Sequence, residues 1–429
     1  MKKNNVIIII CLCLVFISTI SFSFAVEDVE NPQISTSIDD DSPALQASDT
    51  QNDILGDNSD SFTQLDYLIQ NTSDNASLKL DKNYTYSDSD VVFSEGIKIN
   101  KNITIDGDGY AIDGANIVSI FNITNNSHVI LKNIVFKNAN GTNGSAITLT
   151  SSECVEIIGS TFINNSALNG GAIYISSANT SAITSSSSII GSTFINNSAL
   201  NGGAIYLNAN LINISSSNFN FNKASLDGGV IYVEGDWVNL KNSTFTNNTA
   251  GDDGGALYWE GNNGIINNIT CIDNKGISAD KSDGDTSSTR GGTLCLTGFG
   301  VTLSNSIFKY SSAYMDEGKD SSKVDGGAVF VTGNGVTINN TIFNYCTATN
   351  NGGALYVIGN DTQIVNCDFD NCSASDGAAL YVDGIGCKLV TSSFKNNIAG
   401  DDGGAIYWQG NNGVINNITC INNHGISAD

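Results

Sequence analysis

From about residue 97 onward, apolar and polar residues alternate in short runs, and no stretch of ten residues keeps a helical period. Val230-Ile231-Tyr232-Val233 is one such run, Val238-Asn239-Leu240 the next, and Thr244-Phe245-Thr246 a shorter third. Alternation at period two predicts strands. Gly and Asn gather between the runs, where bends need a positive φ. The runs themselves repeat. Gly-Gly-Ala-Ile-Tyr or a close variant recurs with its apolar fourth residue at Ile147, Ile173, Ile205, Ile231, Leu257, Leu294, Val329, Leu355, Leu380 and Ile406. Most intervals are 25 or 26 residues, with longer ones of 32, 37 and 35. An alternating stretch ending in Phe keeps step with it, as at Phe162, Phe194, Phe245 and Phe394, and Cys271 and Cys420 take that place in two copies. A fixed period marks a repeat architecture and overrides a domain count based on length.

The period fixes the geometry. About 26 residues make one turn of three short strands and three bends. Stacking the turns at about 4.8 Å pairs each strand with its copy above and below. The predicted fold is therefore all-β: a right-handed parallel β-helix of about 11–13 turns, roughly 55–60 Å long. A propeller blade needs about 40–45 residues and four strands. Five of the Phe positions are followed three residues later by Asn165, Asn197, Asn222, Asn248 and Asn397. Stacked asparagines bond to one another and satisfy bend backbone groups, so these are read as structural.

The ends of the chain differ from this pattern. Lys2 and Lys3 precede an apolar run over 6–20, and Ser23-Phe24-Ala25 fits a small-x-small site. The pattern predicts a signal peptide over 1–25, cleaved after Ala25. The run is shorter than the roughly 20 residues of a membrane span, and no second long apolar segment follows, so the mature chain is expected to be secreted without a span. Residues 26–60 are acidic and poor in large apolar side chains, as a flexible spacer is. Ser61-Phe62-Thr63-Gln64 then offers a capping box, with Leu65, Leu68 and Ile69 on one face. This suits either a short capping helix or a loop carrying the same residues. The repeat domain is placed at 61–429. Its last 31 residues, AGDDGGAIYWQGNNGVINNITCINNHGISAD, nearly copy the block beginning at Ala250, offset by 149 positions. The first copy runs on into further repeats and the second stops at Asp429, which leads to the expectation that the chain is a fragment of a longer protein.

Composition narrows the function. The 429 residues include 44 Gly, 58 Asn and only 2 Pro, with a net charge of −25 and a single arginine, Arg290. No basic face for a nucleic acid can be assembled. About nineteen Asn-x-Ser/Thr sequons, Asn122, Asn164, Asn247 and Asn339 among them, predict that a few exposed sites carry glycans. Eight cysteines lie outside the signal segment. Cys271, Cys295 and Cys420 are read as buried thiols replacing core aromatics. Cys346 and Cys372 share the Asn-column position one turn apart, within the Cα range of a bridge.

The paired Gly-Gly-Ala-[Ile/Leu/Val] and Phe-x-x-Asn phrases resemble the repeats of polymorphic outer-membrane adhesins. The segment Ile103-Thr104-Ile105-Asp106-Gly107-Asp108-Gly109, with Ile112-Asp113-Gly114 and Ile120-Phe121-Asn122-Ile123, is similar to adhesin-like surface proteins of gut methanogenic archaea. Over about residues 62–429 the resemblance implies a pectin-lyase-like β-helix displayed at the cell surface for attachment.

Candidate chemistry is sparse. A lyase of that fold needs a basic residue on a strand face, and Arg290 lies in a Ser/Asp-rich insertion. A hydrolase needs two carboxylates flanking the scissile bond. Asp252-Asp253 and Asp401-Asp402 recur with the repeat and read as solvated turn formers. His128 and His424 lack a matching partner. Two insertions, after Cys271 and Phe308, occupy the same joint of neighbouring turns and should project side by side. They hold Asp280, Asp283, Asp285, Asp316, Glu317 and Asp320, with Tyr310 and Tyr314 nearby. Loops on a rigid scaffold are where binding concentrates, so this patch is the candidate site for a glycan or a protein on another cell, with calcium as the one candidate ion. The expectation is a non-catalytic, secreted or cell-surface adhesin. The alternatives are a polysaccharide lyase or glycoside hydrolase of the same fold, and a passive structural or shielding surface protein.

Overall fold

A computed structural model describes residues 59–429 apart from 125–126, 151–153, 178–185, 279–288, 316–323 and 427–429. The signal segment with its Ala25 cleavage site, nearly all of the spacer, and the six acidic loop residues Asp280, Asp283, Asp285, Asp316, Glu317 and Asp320 lie outside the described residues.

The chain from Asp60 onward is a parallel β-helix. Three sheets run along it, two of thirteen strands and one of twelve, every neighbour parallel and in register. One turn shows the local logic. In Ile231–Val233 the two aliphatic residues are buried and Tyr232 between them faces outward. Asn239–Lys241 buries Leu240, and Thr244–Thr246 buries Phe245. We call these the tyrosine, aliphatic and phenylalanine sheets. A fourth, narrow sheet of nine strands follows the phenylalanine sheet; its members are mostly two-residue strands such as Thr249–Ala250. Two residues carry no period, so this sheet was not foreseen.

Each bend has a physical cause. From Val135–Lys137 onward, the residue after each strand of the phenylalanine sheet takes a left-handed φ near +55°, as at Asn164, Asn196 and Asn247. The first glycine of the Gly-Gly pair is also left-handed, with Gly228 at +61°. The second needs space: a Cβ on Gly229 would lie 2.0 Å from the Gly255 carbonyl oxygen of the next turn.

The interior is a set of columns. Phe162 and Phe194 stack at 4.6 Å between centroids, Phe219 and Phe245 at 4.7 Å, and Phe369 and Phe394 at 4.7 Å, all nearly coplanar. Cys271 interrupts this column between Phe245 and Phe308. Cys420 shares the position but is exposed, which corrects its reading as a buried thiol; it lies in the last turn, and no described strand stacks beyond it. Beside the rings runs a buried asparagine ladder. Asn197 Nδ2 donates to Asn222 Oδ1 at 2.9 Å and to the Phe162 carbonyl at 3.1 Å, and Asn222 and Asn248 repeat the pattern. Ser311, Cys346 and Cys372 replace the asparagine in successive turns. Cys346 and Cys372 are buried free thiols, each reaching backbone carbonyl oxygens at 3.6–3.8 Å.

At the N-terminal end Phe62–Asn71 forms α1, so the helix of the two alternatives is what forms. Ser61 Oγ accepts from the Gln64 N–H at 3.2 Å. Phe62, Leu65 and Ile69 are fully buried against the first turn. Asp90 ties the helix start down, accepting from the N–H and Oγ1 of Thr63 and from the N–H and Oγ of Ser87. Burial opposes its ionisation, but these four bonds outweigh it and hold the carboxyl below its ordinary range.

Candidate functional site: the outer face of the tyrosine sheet

The middle residue of each tyrosine-sheet strand faces outward, so a column forms on the outer face. Tyr174, Tyr206, Tyr232 and Tyr258 stack at 5.4, 4.9 and 4.8 Å. Phe330, Tyr356, Tyr381 and Tyr407 form a second run at 5.2, 4.7 and 4.8 Å. The rings face each other and turn their edges outward. Hydroxyls reach one turn on: Tyr206 Oη donates to Glu234 Oε1, and Tyr381 Oη to Gln409 Oε1 at 3.0 Å. Burial raises the phenols of Tyr206, Tyr232 and Tyr258 above the ordinary tyrosine range, and nearby carboxylates raise them further. They therefore stay neutral donors at physiological pH.

Between the two runs stands Cys295, in register with Tyr258 and Phe330. It is buried as predicted, yet it replaces an outward tyrosine and not a core aromatic. Arg290 lies nearby, with the guanidinium carbon 5.6 Å from the Phe330 ring centre and Nη1 4.0 Å from Asp253 Oδ2. Arg290 sits on a two-residue strand, Thr289–Arg290, paired with Val324–Asp325. It is thus not confined to a loop, as its Ser/Asp-rich setting suggested. The two insertions leave and re-enter side by side, because Lys275–Ser278 pairs with Ser312–Met315 before them.

Asp253 departs most from its expected role. It is 8% exposed, so it is not a solvated turn former, whereas Asp401 and Asp402 in the later copy are exposed. Its Oδ1 accepts from the Arg290 N–H at 2.8 Å, and the Cys295 thiol lies 4.0 Å from its Oδ2. Carboxylate oxygens of Asp227, Asp252 and Asp253 all lie within 4.8 Å of one another. Burial, then the charges of Asp252 and Asp227, push the Asp253 carboxyl well above the ordinary range, and Arg290 offsets only part of this. The cluster is poorly suited to calcium, which wants six to eight oxygens: Asp227 Oδ1 already accepts from the Asp253 N–H at 3.1 Å, and Arg290 brings its own positive charge.

The ring column ends at Tyr174. Its register partner on the N-terminal side is Thr148, and Asn122 comes before that. A cleft of about 530 Å³ opens there, lined by Asn122, Asn140, Thr142, Asn143 and Thr148, with Glu95 at its edge. Elsewhere His128 has a partner that the sequence did not reveal: its Nε2 lies 2.9 Å from Glu156 Oε1, both half-exposed one turn apart.

Four stretches, residues 159–176, 191–208, 242–258 and 391–407, match the Chlamydia polymorphic membrane protein repeat. Each runs from the phenylalanine strand through the Gly-Gly pair into the tyrosine strand. The resemblance to archaeal surface proteins finds no counterpart among the matches. No curated protein matches the chain. Among solved structures, a mutant tailspike protein of E. coli bacteriophage HK620 in complex with a pentasaccharide is similar at 12% identity and a TM-score of 0.43, covering 86% of this chain and 76% of that one. The catalytic domain of a GH87 α-1,3-glucanase mutant in complex with nigerose is similar at 14% identity and a TM-score of 0.41, covering 86% of this chain and 65% of that one.

Proposed function

We propose that this chain is an adhesin-like protein of the cell surface, attaching to glycans or proteins of another cell without catalysing a reaction. The observation that carries this reading is the outer face of the tyrosine sheet. It offers a rigid aromatic column with fixed hydroxyls, flanked by carboxylates and ending in a polar cleft. Rings with a polar handle are the usual material of recognition surfaces. The polymorphic membrane protein repeats support display at a surface, and no helix among the described residues is long and apolar enough to cross a membrane. Beads coated with the full chain should attach to target cells and be displaced by soluble surface polysaccharide. Attachment no greater than that of albumin-coated beads across a panel of cell types would refute the reading.

A second reading rests on Asp253. A glycoside hydrolase needs one carboxyl that keeps its proton and another that is ionised nearby; the Asp253 carboxyl is raised by burial and by the charges of Asp252 and Asp227 beside it. Release of reducing ends from a polysaccharide panel, abolished by Asp253→Asn, would favour hydrolysis over simple attachment.

A further inference from the structure

We infer that the cleft at the N-terminal end of the ring column is a binding site for a neutral saccharide. This deepens the attachment reading and rests on it. The volume of about 530 Å³ falls within the range of ligand sites, roughly 300–1,000 Å³. The lining is chemically selective. Asn122, Asn140, Asn143, Thr142 and Thr148 supply amides and hydroxyls, which both donate and accept, as a sugar's hydroxyls require. The side chains of Asn122 and Thr142 make no hydrogen bond to another described residue, so their capacity is unspent. Thr148 turns its hydroxyl proton back to the carbonyls of Asn143 and Gly144, which leaves its oxygen lone pairs.

Ile117, an exposed side chain of the lining, adds an apolar contact. Tyr174 has a ring neighbour on one side, Tyr206, whereas the residue on the other side is Thr148, which lines the cleft. The 140–144 segment, which contributes to the lining, packs closely: a Cβ on Gly141 would lie 2.3 Å from Ser119 Oγ, and one on Gly144 would lie 2.7 Å from Tyr174 Cβ. Charge selects neutral over acidic sugars. Glu95 is the one charged residue of the lining, and the whole chain carries −25, so a uronate meets repulsion.

The test uses the full chain produced without N-glycosylation, since Asn122 also heads a sequon. Probes are immobilised neutral, amino and uronic-acid oligosaccharides, followed by calorimetry on the best. The inference expects neutral oligosaccharides to bind. Thr148→Trp, which fills the cleft, and Asn122→Ala, which breaks no described bond, should each weaken binding about tenfold or more. Glu95→Gln should let uronates bind where the parent rejects them. Thermal midpoints of the variants matching the parent would exclude misfolding as the cause. Absence of any neutral ligand, or full affinity in both Asn122→Ala and Thr148→Trp, overturns the inference. The attachment reading fails separately. Saccharide binding that depends on the cleft, in a chain that does not hold cells, keeps the site and removes the adhesin; attachment that persists unchanged with binding-dead variants keeps the adhesin and moves its contact elsewhere.

Discussion

Asn222 makes four bonds at once. It accepts from the backbone N–H and Nδ2 of Asn197 and donates to Asn248 Oδ1 and the Phe194 carbonyl. Asn222→Ala removes partners from Asn197 and the Phe194 carbonyl on the preceding turn and from Asn248 on the next. Each buried unpaired group costs about 1–3 kcal/mol, so a loss of about 3–5 kcal/mol is expected in denaturant titration. Asn196→Gly, at the exposed left-handed bend, should change stability by less than about 0.5 kcal/mol. Asp253 gives a pH signature. Its folded carboxyl binds protons more tightly than the unfolded one, so the native state holds the extra proton between about pH 4 and its raised value, and stability falls as pH rises through that window. Asp253→Asn removes the dependence. Thermal unfolding should show the variant more stable than the parent at pH 7, with the gap closing toward pH 4. Asp253 also shows where sequence reading stops. Its burial arises from Arg290, which lies 37 positions downstream and one turn along, whereas the same Asp-Asp pair at Asp401-Asp402 is exposed. Identical local letters acquire different environments from the turn stacked on them.

At the scale of the element, a glycine at an open bend and the second glycine of a Gly-Gly pair fail differently when replaced. Gly191 has a φ of +58° and open space around its Cβ direction. Gly191→Ala should cost about 1–2 kcal/mol, the strain of a left-handed alanine. Gly229→Ala drives a Cβ into the carbonyl of the next turn and should cost about 4 kcal/mol or more, with local loss of the narrow sheet seen as faster amide exchange at Lys223 and Thr249. The three long sheets were legible because each strand alternates over three or four residues with its apolar side fixed. The narrow sheet was not, because two residues have no alternation. The tyrosine column stood in plain view in the repeated phrase, but only the strand direction tells that Tyr232 faces out while Ile231 and Val233 face in. The cleft left no trace at all, since Asn, Ser and Thr are the background of this chain.

Across the whole molecule, burial sorts the thiols. Cys271, Cys295, Cys346, Cys367, Cys372 and Cys387 are buried, Cys154 is intermediate and Cys420 exposed. Burial raises the thiol of Cys367 to about 12 and that of Cys387 above its usual value, so these are neither accessible nor ionised. A thiol reagent on the native protein should label Cys420 first and Cys154 more slowly, and reach the six others only after unfolding, as read by peptide mass mapping. Resistance of Cys346 and Cys372 to labelling even in denaturant without reductant would show them bridged.

The in-register stacking has a consequence for how such a molecule changes over generations. The nearly identical segments beginning at Ala250 and Ala399 are five turns apart, since Leu257 reaches Ile406 through five successive strand pairings. Unequal exchange between two such segments removes or adds whole turns and leaves every column continuous. Each event shifts the far end of the rod by about 24 Å without touching the cleft at its beginning. Length is thereby inherited as an integer, and it varies independently of the cleft.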